Sequence, residues 1–160
     1  MIDATVPVAM LFTTLGLMLG FAPRRIAFAA AAVSIVVALT LASLTRFNIT
    51  DAAVVPAVWL MILVLSGLVY WPRYQSTALT IALAVLTAIV GGLAMAPISR
   101  PISFAAVLPL LVTVPASFAV GRGLSIAPRV LMAWLLAVSM LGAALPHVVS
   151  HPGYIPDHRG

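Results

Sequence analysis

Residues Thr77 to Ala96 read TALTIALAVLTAIVGGLAMA, twenty positions without a charge and with nothing more polar than threonine. A helix of that length spans about 30 Å, the thickness of a bilayer's hydrocarbon core. A barrel strand would be half as long and would alternate apolar with polar residues. This run is continuous, so it reads as a membrane-spanning helix. Pro97 and the segment Ser99-Arg100-Pro101 close it.

The flanking sequence repeats the pattern. Apolar runs cover about residues 6–22, ended by Pro23-Arg24-Arg25, then 26–44 and 52–71. After the run at 77–96 come 102–120, ended by Gly121-Arg122-Gly123, and 130–150, stopped by Pro152-Gly153. The fold class expected is all-α, a polytopic transmembrane bundle of six helices. A five-helix reading drops the first run, which is the shortest. Six spans use about 120 residues, and the remainder of a 160-residue chain is short loops and tails. Residues 1–160 therefore read as a single integral membrane domain.

Composition agrees with this reading. Hydrophobic residues make up 64% of the chain and charged ones 7%, against about a quarter charged in an average soluble domain. Too little polar surface exists to cover the apolar mass in water, and the chain is far too hydrophobic for disorder. The lipid bilayer is the first partner the sequence implies.

The missing residue types narrow the chemistry. There is no Cys, Lys or Glu. Thiolate metal sites and thiol redox chemistry are excluded, as are lysine Schiff bases and the P-loop lysine. The acids are Asp3, Asp51 and Asp157, all in expected loops or tails. Proton-driven transport normally uses an ionisable group at membrane depth, and none is evident apart from a histidine near one helix end. No catalytic constellation is seen, and the chain is not expected to be an enzyme. The net charge of +5 does not imply nucleic acid. Such binding needs a basic patch or stripe, and these eight Arg are scattered through short gaps.

Those Arg instead suit a topological role. The first, third and fifth loops hold Arg24, Arg25, Arg73, Arg122 and Arg129; the other loops and the tails hold Arg46, Arg100 and Arg159. Five against three places the odd loops inside and both termini outside. The Arg-only, Ala-rich composition suggests a bacterial inner membrane. Tyr70, Trp71 and Tyr74 fit an interfacial aromatic belt.

A shift of 76 residues aligns Arg24-Arg25-Ile26-Ala27-Phe28-Ala29-Ala30 with Arg100-Pro101-Ile102-Ser103-Phe104-Ala105-Ala106, with five of seven positions identical. Two three-helix halves related in this way would be inverted in the membrane, as in many transporters. Chance matching in an Ala-, Val- and Leu-rich chain is the competing explanation.

Few residues are candidates for a site. His147 and His151 share a helix face, with Asp157 and His158 just beyond, a set that suits zinc or copper. Interfacial histidines without a metal are the commoner case, so no cofactor is expected. Gly16 and Gly20 form a GxxxG motif that lets two backbones approach closely, and internal packing is the reading favoured over a partner chain. Pro109 and Pro115 interrupt the fifth run, with Thr113 and Ser117 near enough to bond freed carbonyls. These four residues would line a cavity if the helix borders a solute path, although an ordinary kink is the simpler reading.

Two functions fit these features. One is an accessory, assembly or structural subunit that packs against other membrane protein subunits. The other is a passive carrier or channel for a small or apolar solute. A redox or metal protein built on the histidines is a third.

Overall fold

The computed structural model describes residues 5–44, 51–71, 76–96 and 105–144, with only the backbone path for 51–53. These residues form six helices and, among them, no strand. The helices are α1 (Thr5–Leu19), α2 (Arg24–Leu44), α3 (Asp51–Leu68), α4 (Thr77–Met95), α5 (Ala105–Gly121) and α6 (Ile126–Ala144). Three of them, α2, α4 and α6, are long and apolar enough to cross a membrane. The chain is that of a helical membrane protein.

Helix ends follow local chemistry. Helix α1 stops at Leu19, short of Ala22, because the last bonds tighten: Phe21 N–H donates to Met18 C=O and Ala22 N–H to Leu19 C=O. Such three-residue bonds are the usual way to satisfy a helix's last carbonyls. Helix α3 ends at Leu68 rather than Trp71 in the same manner, with Tyr70 N–H on Gly67 C=O. Helix α6 begins at Ile126, four residues before the sequence reading, with Pro128 in its first turn, where the missing N–H costs nothing. Helix α5 closes in a Schellman turn. Leu124 N–H reaches Ala119 C=O at 2.9 Å, Gly123 N–H reaches Val120 C=O at 3.0 Å, and Gly123 takes the left-handed φ of +80°.

Helix α5 is not uniform. Its middle, Leu108–Val112, is a 3-10 segment, and α-helix resumes over Thr113–Gly121. A proline cannot donate to the carbonyl four residues back, and its ring crowds that carbonyl. Pro109 lies in the first turn of the segment and Pro115 follows its end by three residues, and the Thr113 hydroxyl donates to Leu110 C=O at 2.7 Å.

Helix α1 occupies the centre. Val8, Leu11, Phe12, Leu15 and Met18 are fully buried, and Thr14 is buried with them. A helix apolar all round fits either the inside of a bundle or a lipid-facing position, and burial places this one inside. It lies against α3, α4 and α5, while α2 packs along α4 and α6 along α3. Within lipid these contacts are held by close packing rather than by exclusion of water, and small residues make them possible. A Cβ on Gly16 would stand 3.1 Å from Leu110 C=O, and one on Gly20 would stand 2.6 Å from the Ala116 Cβ. A Cβ on Gly92, which follows Gly16 by 76 residues, would stand 2.8 Å from Ala38 C=O. The α1–α5 and α4–α2 contacts thus each turn on a glycine, and the two glycines correspond under the 76-residue shift.

Candidate functional site

The short central helix leaves space beyond its end. Past Leu19 a recess of about 390 Å³ opens between the α1–α2 turn, the start of α4 and the end of α5. Its polar lining is Arg24, Thr77, Thr80 and Ser117, and its apolar walls include Phe21, Ile26 and Val120. Gly121 makes room for Arg24: a Cβ there would stand 3.2 Å from the Arg24 Nη2. Thr80 and Ser117 are buried, whereas Arg24 and Thr77 are exposed at the opening.

The hydroxyls inside the recess are already donating. Thr80 Oγ1 bonds to Ser76 C=O at 3.1 Å, and Ser117 Oγ bonds to Val114 C=O at 2.9 Å. Their oxygens remain able to accept. The first turns of α2 and α4 both face this end, and neither contains an acid. The Ser76 side chain makes no capping bond to α4. First-turn N–H groups without partners carry the positive end of the helix dipole.

Two further arginines adjoin lining residues, Arg122 next to Gly121 in the chain and Arg129 against Phe21. The Arg122 guanidinium sits 4.0 Å from the centre of the Phe118 ring, and that of Arg129 sits 6.0 Å from the centre of the Phe21 ring. Tyr70 Oη donates to Arg129 C=O at 2.7 Å, tying the end of α3 to the start of α6. No carboxylate lies among the described residues of this end.

The candidates from sequence fall in different places. Ser117 lines the recess. Thr113 is buried at the α1 contact, its Oγ1 3.2 Å from where a Cβ on Gly16 would stand. Pro115 faces outward, and Pro109 is half-buried at the start of the 3-10 segment. His147, His151 and His158 lie outside the described residues. Nothing in the sequence alone marks Arg24, Thr77 and Thr80 as binding residues. The available signal was an arginine pair directly before one apolar run and hydroxyls in the first turn of another. Each is ordinary alone, and only the fold brings them together.

Comparison with models of known protein families, with curated proteins and with solved structures finds no match.

Proposed function

We propose that this protein is a multi-pass accessory, assembly or structural subunit of a larger complex in a bacterial inner membrane, with both termini outside. The observation that carries this reading is the outer face of α6. Val130, Trp134, Ala137 and Leu141 recur there at spacings of four, three and four, and all are exposed. Trp134 is 60% exposed and lies more than two turns in from the first residue of α6. Tryptophan belongs at the membrane interfaces, where its N–H meets water. Away from the interface, an indole N–H facing hydrocarbon costs several kcal/mol (roughly, by transfer of a polar group) unless an acceptor meets it. Trp134 has no hydrogen-bond partner among the described residues. A transmembrane helix of another subunit, offering an acceptor at that depth, satisfies it.

A photo-crosslinking residue placed at position 134 in native membranes tests this. The expected product is a discrete adduct with a second membrane protein, absent when the same group replaces the outward-facing Leu86 of α4. Lipid adducts alone at both positions would overturn the proposal.

The recess and the 3-10 interruption of α5 favour a second reading, passive passage of a small solute. Against it stand the fully buried side chains of α1 in the middle of the bundle. Proteoliposomes of the purified protein are expected to show no flux. A flux that falls on Pro109→Ala or Thr113→Val would establish the carrier instead.

A further inference from the structure

The recess at the arginine-bearing end has the chemistry of a binding site, independently of any partner on α6. We propose that it binds a hydroxylated phosphate ester, with Arg24 and Thr77 on the phosphate and Thr80 and Ser117 on the ligand's hydroxyl groups. The charge is the first argument. Arg24 reaches the recess over Gly121, Arg122 and Arg129 stand nearby on aromatic rings, and no carboxylate among the described residues of this end offsets them. A guanidinium fork matches the geometry of phosphate oxygens.

Size and wall chemistry point to more than an inorganic anion. About 390 Å³ falls within the range of small-molecule sites, roughly 300–1,000 Å³, and exceeds what a phosphate fills. The inner wall presents two hydroxyl oxygens that already donate to backbone carbonyls, so they are left to accept. Acceptors deep in the recess and donors at its mouth suit a ligand that carries hydroxyls beyond its phosphate. Phe21, Ile26 and Val120 give its carbon skeleton an apolar surface. The acid-free first turns of α2 and α4 add to the same electrostatic preference without defining the site.

Two sources offer this chemistry: the headgroup of a lipid such as phosphatidylglycerol, and a soluble polyol phosphate. Native mass spectrometry distinguishes them. Protein released from bilayers of equal phosphatidylglycerol and phosphatidylcholine is expected to retain the former selectively. Arg24→Gln should lower that retention about tenfold, the effect of losing one charged hydrogen-bonding partner. Thr77→Val should lower it less, about threefold, the effect of losing a neutral one. Arg25→Gln removes the same charge one residue away, outside the recess lining, and should leave retention unchanged. Displacement of the lipid by millimolar glycerol 3-phosphate would support the site and assign it to the soluble ester. Equal losses in Arg24→Gln and Arg25→Gln would reduce the effect to general surface charge and overturn the proposal. So would absence of both lipid preference and glycerol phosphate binding. Circular dichroism of each variant checks that the helices persist.

Discussion

At Gly20 a methyl group would stand 2.6 Å from the Cβ of Ala116 and 3.0 Å from its carbonyl carbon. Neither neighbour is the far end of a flexible side chain, so α1 and α5 must separate to admit it. Gly20→Ala is expected to destabilise the protein by about 1–3 kcal/mol, read as a lower thermal midpoint in detergent. Gly67→Ala is the control. Nothing lies within 4 Å of its added Cβ, and alanine is the better helix former by up to about 1 kcal/mol, so the midpoint should hold or rise. Ser66 offers a test of the opposite sign. Its hydroxyl is buried without a partner among the described residues, and Ser66→Ala removes an unsatisfied polar atom worth about 1–3 kcal/mol. A fall in the midpoint for Ser66→Ala would mean that the hydroxyl has a partner after all. The spacing of Gly16 and Gly20 made a close helix contact legible in the sequence. The identity of the facing helix was not, because small residues occur in every apolar run and the spacing specifies only one side of the contact.

Helix α5 carries the clearest local cause and effect. Pro109 and Pro115 withdraw two N–H groups, and the chain around Pro109 takes the 3-10 form over Leu108–Val112. The variant Pro109→Ala with Pro115→Ala restores both donors, and amide exchange across residues 108–112 should slow by about tenfold or more. Unchanged exchange would assign the tightening to the contact with Gly16 instead. The interruption itself was legible, since proline acts through local geometry. Helix α1 shows the reverse case. It is the shortest run and was the one a five-helix reading omits, yet it sits at the centre of the bundle. Apolar residues on all sides satisfy lipid and protein neighbours equally well, so its pattern does not say which surrounds it. The α6 stripe was obscured in the same way.

For the whole molecule, the arginine distribution makes a prediction about sidedness. The chain contains no cysteine, so single introduced thiols report cleanly. Leu44→Cys, at the exposed end of α2, is expected to react with an impermeant reagent from outside. Arg25→Cys, at the other end of the same helix, should react only after the membrane is opened. Labelling of both from one side would show that α2 does not cross. The recess is a site that no single stretch of sequence carries. Its lining comes from the α1–α2 turn, the start of α4 and the end of α5, three segments that nothing in the linear order joins.

The central position of α1 also has a consequence in time. Gly20 and Ala116, the residue it meets, lie ninety-six positions apart in the chain. At cellular rates of synthesis that interval lasts about 5–20 s. During it α1 has already left the ribosome, while the helix that will cover its glycine face does not yet exist. Its enclosure is thus a late rearrangement among helices already in lipid, and a translational pause between α4 and α5 would prolong the state in which that glycine face lies open to other helices.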